Sequence, residues 1–375
     1  MVATILHLTT LHPRSDARIF VKEAQTLATS LPHRVILMVA DGKGNIDHGQ
    51  GFVSLHDLGR LGGGRLCRVL IGTWRAFISI RRIKPAIVHF HDPELIPLGM
   101  LLKMIGYKVI YDVHEDVPRQ TLSKHWIPKI IRYPVMVAIN LLELVAAKFF
   151  DAMIPATPKI AARFPAGKTV LVQNFPIGSE LVLQDAIPYR QRDFCFAYIG
   201  GIAKIRGAVE MILACEFLGD ATDAKLELAG EFSPSSLEDS LRALPGWASV
   251  RYHGHVSRTG VARIMGRVRA GLVVLHPVTN YIESQPTKLF EYMSAGIPVV
   301  ASDFPLWREI IGGAGCGLLV DPLDPVKIAE AMKWLLDNPD EAEAMGRRGK
   351  RAVEEEYNWD IEKKKLLTFY EKILA

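Results

Sequence analysis

At 375 residues the chain is longer than one ordinary hydrophobic core supports and suits two domains. Hydrophobic residues make up 49% of it, enough to bury two cores, and the formal net charge is +5. The four cysteines, Cys67, Cys195, Cys215 and Cys316, fall at no disulfide or metal-ligand spacing, which excludes a disulfide scaffold or zinc ribbon and predicts buried thiols.

The charge is unevenly divided. Met1 to Glu180 carries 22 Lys and Arg against 13 Asp and Glu, and the remainder 23 against 27. A basic first half either attracts an anionic membrane surface or a lipid-linked phosphate, or is ordinary solvated charge. Nucleic acid is not expected as a partner, because neither a recognition motif nor aromatic-basic interleaving accompanies the charge. The opening MVATILHLTTLHPR has too short an apolar run for a signal peptide, and the chain contains no run of eighteen apolar residues. A cytoplasmic protein without a membrane span is therefore expected.

The first half alternates apolar strands with amphipathic helices. ATILHLT is followed by a helix near Ala17 to Thr29, then HRVILMVA, a segment around Gly51 to His56, a helix near Cys67 to Ile83, AIVHFH, a helix after Pro93, and KVIYDVH. This rhythm predicts a parallel sheet covered on both faces, in which ligands lie beyond the carboxyl ends of the strands. Three such ends carry polar residues. TTLHPRSDARI contains no glycine, and its Arg18 either offers positive charge to a ligand or lies on the surface. In HFHDPELIPLG, His91 and Asp92 precede Pro93, so Asp92 either lines a site or caps the next helix. YDVHEDVPRQ sets His114 directly after a strand, as a structural group or a functional one.

Thr121 to Phe150 is the most apolar stretch. Trp126, Ile127, Ile130, Ile131 and Tyr133 alternate with Lys124, Lys129 and Arg132, as expected of a segment at a lipid interface, with a core helix as the alternative. Strands DAMIPAT and TVLVQN follow, and the aperiodic run Ser179 to Asp193 reads as a linker. The expected division is residues 1–185, residues 186–358 and a final helix over residues 359–375.

The second half restarts with FCFAYIG, leading to Gly200-Gly201 and a helix beginning near Arg206-Gly207. AKLELAG, a helix after Pro234, SVRYHGHV and AGLVVLHPV come next, the last reaching His276. The stretch Glu283 to Asp303, ESQPTKLFEYMSAGIPVVASD, has a polar loop, a helix that Pro286 opens in its first turn and Gly296 closes, and the strand PVVAS. Free N–H groups and the positive dipole end make such a helix start a seat for phosphate. Glu283 and Glu291 flank it, either as ligands for sugar and ribose hydroxyls or as solvated charges.

The Glu283 to Asp303 string resembles the signature of family 4 glycosyltransferases of the GT-B fold: two glutamates with seven residues between them, a helix ending in small residues, and a G-x-P-V-V-A strand. The resemblance implies an α/β protein with two Rossmann-like domains facing a cleft and a last helix, from Trp359, crossing back to the first domain. It implies a retaining transferase that moves a sugar from a nucleotide-diphosphate donor to a glycan or lipid-linked acceptor in envelope polysaccharide assembly, at the inner membrane face. By position Glu283 would reach the transferred sugar and Glu291 the ribose, while Ser284, Gln285, Pro286 and Thr287 replace the commoner glycine-aromatic-glycine loop. Family members usually clamp the diphosphate with an arginine and a lysine, where this chain has Gly201 and Arg206 beside Gly200; Lys288 is expected to supply the missing charge. His255 and Val256 would edge the nucleobase. His114 would face the donor sugar, with Arg18, His91 and Asp92 on the acceptor side. No Asp-x-Asp motif is present, so neither a metal nor any cofactor beyond the donor is expected. The alternatives are a non-hydrolysing sugar-nucleotide epimerase of the same fold and a non-catalytic sugar-nucleotide binding protein. An NAD enzyme is not expected, because no early strand leads into G-x-G-x-x-G.

Overall fold

Runs of Val, Ile and Leu with a turn residue at each end make short strands, and amphipathic segments between them make helices that cover both faces of a sheet. A computed structural model describes residues 2–48, 51–123, 127–178, 180–181, 187–219 and 223–375. The first sheet contains β1 (Thr4–Leu8), β2 (Arg34–Val39), β3 (Val53–Asp57), β4 (Ile87–Phe90), β5 (Lys108–Val113) and β6 (Ala152–Pro155), ordered β3-β2-β1-β4-β5-β6. The second contains β7 (Cys195–Ile199), β8 (Lys225–Ala229), β9 (Val250–Gly254), β10 (Ala270–Val273), β11 (Val299–Ser302) and β12 (Gly317–Val320), ordered β12-β11-β10-β7-β8-β9. All the strand pairs are parallel. Each sheet reverses direction once, between β1 and β4 and between β7 and β10, and a doubly wound sheet opens a crevice at that point.

The chain divides into one unit of Met1–Asn174 with Asp360–Ala375 and another of Phe175–Trp359. The division falls before the expected 185/186 because Phe175, 2% exposed, stacks edge-on against Phe290 and Tyr357, and Leu181 is buried in the same core. Of the expected linker, residues 179 and 182–186 lie outside the described residues. The last helix, Trp359–Leu374, buries Leu366 and Tyr370, and the Tyr370 hydroxyl sits 2.8 Å from His89 Nδ1 within the first unit. TVLVQN does not become a strand: Thr169 makes an isolated bridge to Met153 and the remainder is irregular. Cys195, Cys215 and Cys316 are buried free thiols, whereas Cys67 is exposed, contrary to expectation, on the helix Arg65–Ile83.

The apolar stretch forms the helix Lys129–Phe149, with Lys124 and Trp126 outside the described residues. One face packs on the unit through Glu143, Ala146 and Ala147, and Arg163 donates to Glu143 Oε2 at 2.5 Å and to Asn140 Oδ1 at 2.9 Å. The other face is open: Ile130 is 87% exposed, and Tyr133, Leu141 and Phe149 are also exposed. By length and composition this helix is long and apolar enough to cross a membrane. Arg132, Asn140 and Glu143 interrupt its apolar run, so the helix contains no eighteen consecutive apolar residues.

Candidate active site

The second unit gathers its charged groups where its sheet reverses. β7 ends at Gly200-Gly201, and Tyr292, from the helix Thr287–Ser294, fastens that helix beneath the strand end. Its hydroxyl accepts from Ile199 N at 3.0 Å and donates to Ala197 O at 3.1 Å. The ring lies over Gly271 of β10, where a Cβ would come within 2.2 Å of it. This anchoring carries Lys288, one turn earlier, to the glycine turn. A Cβ on Gly200 would stand 3.2 Å from Lys288 Nζ, and one on Gly201 2.9 Å from Arg206 Nη1, so both glycines admit a cation against the backbone.

Lys288 is 9% exposed, and its Nζ sits 3.6 Å from the centre of the Tyr198 ring with no hydrogen-bond partner among the described residues. Burial, reinforced by Arg206 and opposed by Glu291, holds its ammonium well below the ordinary lysine range. Arg206 reaches Tyr281 Oη and Gly201 O, both at 3.4 Å. The Tyr198 hydroxyl donates to Gly201 O at 2.8 Å, and burial pushes that phenol above its usual range. Pro286 proves to be the residue before the helix rather than its first turn, and it provides no side-chain cap. Two cations and an uncapped helix start thus surround one glycine turn, the chemistry of an anion seat.

Around this seat the expected residues divide. Glu291 Oε1 accepts from Arg258 at 2.8 Å, and Arg258 also forks onto Glu180, so its carboxylate is held in a three-residue cluster. Glu283 follows the short helix Thr279–Ile282, and the next turn is fixed by Ser284 Oγ donating to Tyr281 O and Trp307 Nε1 donating to Ser284 O. Ser284 is therefore committed to the turn, while the buried Gln285 Oε1 has no hydrogen-bond partner among the described residues and Thr287 opens the helix. His255 is exposed just beyond β9, and Val256 packs against the core. Tyr198, Tyr281 and Arg258 were not anticipated from sequence. Their roles depend on cross-strand and interhelix neighbours that local spacing does not reveal.

In the first unit the ends of β1, β4 and β5 meet in a histidine-carboxylate network. His114 Nε2 lies 2.7 Å from Asp112 Oδ2, and His91 Nδ1 lies 2.9 Å from the same oxygen. Arg18 Nε and Nη2 fork onto Asp112 at 3.0 and 2.7 Å, and Nη1 donates to Val172 O at 2.8 Å. Burial raises the Asp112 carboxyl, but Arg18 and His114 outweigh it and hold the group well below the usual carboxylate range. Arg18 and Asp92, expected on the acceptor side, are both buried, with side-chain hydrogen bonds inside the unit. Asp92 gives no side-chain cap to Pro93–Leu95. It accepts instead from Thr9 Oγ1, Thr10 Oγ1, Leu11 N and His12 Nδ1, and so fixes the loop after β1. His91 is buried in the same network. His12, not anticipated from sequence, faces His114 at 5.1 Å between ring centres, and its hydrogen bond to Asp92 raises its pKa against burial.

Comparison with known proteins agrees with this anatomy. Residues 184–352 match the family model described as glycosyl transferases group 1. A 138-residue segment is 32% identical to the phosphatidyl-myo-inositol mannosyltransferase of Mycobacterium leprae, spanning 36% of each chain. Among solved structures, sucrose-phosphate synthase from Thermosynechococcus elongatus superposes with a TM-score of 0.79 at 16% identity, covering 100% of this chain and 99% of that one. Anabaena HepE in complex with UDP gives 0.72 at 12%, covering 98% and 100%, and WaaG, a glycosyltransferase of lipopolysaccharide biosynthesis, gives 0.70 at 15%, covering 97% and 98%. Residues 184–352 thus match the group 1 glycosyl transferases, within a chain whose two doubly wound sheets have the GT-B fold.

Proposed function

We propose that the protein transfers a sugar from a nucleotide-diphosphate donor to a glycan or lipid-linked acceptor, with retention at the anomeric carbon. One observation carries the reading: the buried Lys288 side chain, whose Nζ has no hydrogen-bond partner among the described residues, beside Arg206 and the Gly200-Gly201 turn. A group so desolvated is stabilised by an anion, and a diphosphate leaving group develops its charge at such a seat. The UDP bound in HepE supports a nucleotide donor. Glu291 holds the ribose, alternating with its present partner Arg258, Glu283 orients the sugar, and Gln285 supplies a further polar contact. His114, set by Asp112, is the group of the first unit that acts at the donor sugar.

Diphosphate charge is neutralised by protein cations, so turnover without added magnesium or manganese is the expected result. The acceptor is envelope-associated. The basic first unit, the open apolar face of Lys129–Phe149, and exposed Leu66, Leu70 and Trp74 on the helix Arg65–Ile83 favour a peripheral site at the cytoplasmic membrane face. A cavity of about 330 Å³ in the same unit, lined by Thr10, Asp41, Arg60, Arg68 and Glu94, is a polar seat of the right chemistry for an acceptor phosphate or hydroxyl.

A thermal-shift panel of UDP-, GDP- and ADP-sugars, followed by turnover with the stabilising donor, tests the reading. Glu283→Gln is expected to lower turnover about 100-fold with a much smaller change in donor affinity, as misorientation of a bound sugar does. Loss of affinity with turnover intact would reverse the assignment. Donor epimerised in the absence of any acceptor would favour an epimerase.

A further inference from the structure

Three histidines of the first sheet share one face. His7 of β1 stands opposite His89 of β4 in the strand register, and His91 follows two residues on, where alternation returns the side chain to the same side. Their ring centres lie 4.5 Å (His7 to His89), 4.7 Å (His89 to His91) and 5.2 Å (His7 to His91) apart. Above them runs a helix wound in π geometry over Ala17–Ala24, which brings residues five apart onto one face and sets Glu23 beside Arg18. His7, Glu23, His89 and His91 are all buried, and each can offer one ligand atom within 4.8 Å of the others.

The hydrogen bonds fix where the lone pairs point. Ionised Asp112 only accepts, so His91 Nδ1 carries a proton and its Nε2 a lone pair. His91 Nε2 is 3.0 Å from His7 Nδ1, which must then donate, leaving His7 Nε2 a bare lone pair. His89 Nδ1 is taken by the Tyr370 hydroxyl. The Nε2 atoms of His7 and His89 and both Glu23 oxygens lack a hydrogen-bond partner among the described residues, with Glu23 Oε2 4.0 Å from His89 Nε2. Arg18 Nε stands 3.1 Å from Glu23 Oε1, but its fork is spent on Asp112. A proton on Glu23 would relieve the carboxylate yet leave the His7 lone pair unanswered. A cation answers both.

We propose that His7, His89 and Glu23 bind a divalent transition metal, with His91 orienting His7 from behind. Two imidazoles and a carboxylate are the donor set of zinc, and an Asp-His-His chain behind a ligand is the usual means of fixing its tautomer. The site is separate from the diphosphate seat, where no metal is invoked, and does not depend on the activity proposed above.

The test is metal content of the untagged, full-length protein by plasma mass spectrometry, before and after stripping with a chelator and reloading with zinc or cobalt. About one equivalent of metal per chain is expected, with a tetrahedral cobalt spectrum and a melting temperature that falls on stripping and recovers on reloading. Glu23→Gln, close to isosteric, should lose the equivalent while His114→Asn keeps it. Reloaded wild-type protein holding no metal would overturn the proposal without any variant. Retention in Glu23→Gln with loss in His114→Asn would also overturn it, by moving the ion to the His91, Asp112 and His114 group.

Discussion

Lys288 shows how one side chain can carry a functional reading. Its position in the first turn of a helix places it near the phosphate seat, but sequence does not show that it is buried against Tyr198 without a hydrogen-bond partner among the described residues. Its pKa is held well below the lysine range by burial, with Arg206 adding to the shift, so a bound anion should raise it and draw in a proton. Nucleotide binding is therefore expected to take up protons, and affinity to fall as pH rises through the liganded pKa. Calorimetry in buffers of different ionisation enthalpy reads this directly, and Lys288→Met should abolish the buffer dependence. The same variant should weaken nucleotide diphosphate binding by about 2 kcal/mol, the scale of one charge-assisted hydrogen bond. Unchanged affinity and unchanged proton uptake would remove Lys288 from the site. Arg206 is legible as the second clamp, whereas its partner Tyr281 is not, because that neighbour lies on the short helix Thr279–Ile282, seventy-five residues away.

At the scale of elements, the site depends on how the helix Thr287–Ser294 is tied to β7. Tyr292 supplies the tie with one hydroxyl serving two backbone groups of the strand, in a space that only Gly271 leaves open. Tyr292→Phe leaves Ile199 N unpartnered in the interior and should destabilise the unit by about 2 kcal/mol. It should also lower nucleotide affinity, since Lys288 rides on the same helix. Denaturant unfolding together with nucleotide titration checks both, and a stability loss with affinity intact would show that the tie does not position the lysine. The strand sequences themselves were readable: β-branched runs between glycine and proline gave the elements of both sheets. TVLVQN was the exception. Its composition suits a strand, but its pairing with β6 stops at the bridge of Thr169 and the bonds from Val170 N to Met153 O and Val172 N to Pro155 O, and propensity without a full ladder leaves the segment irregular.

Across the molecule, excess positive charge and exposed apolar side chains coincide in the first unit. The helix Lys129–Phe149 turns its polar interruptions Asn140 and Glu143 inward to Arg163, so its outward face is left apolar. That division suits a helix lying along a surface, because Glu143 packs into its own unit. Binding to phosphatidylglycerol-containing vesicles at low salt is expected, weakening as salt rises, with each basic residue at the surface contributing about 1 kcal/mol. Ile130→Asp with Tyr133→Ser should reduce co-sedimentation about tenfold without altering the melting temperature, since these residues are exposed. Equal binding to neutral vesicles, or none to anionic ones, would count against the membrane reading.

The sequence by itself determined the two parallel sheets, the Gly200-Gly201 turn and the glutamate-flanked helix, because hydrophobic periodicity, glycine placement and helix punctuation act over a few residues and need no distant partner. Only the tertiary structure decided what the charged residues do. Arg18 and Asp92 look like ligand groups in the chain, yet Arg18 is consumed by Asp112 and Asp92 by the loop after β1. Phe175 looks like an apolar residue of the first half, yet it packs with Phe290 and Tyr357 in the second. A buried charge is fixed by whichever partner reaches it through space, and a domain boundary by where side chains find their core, so neither is written in local order along the chain.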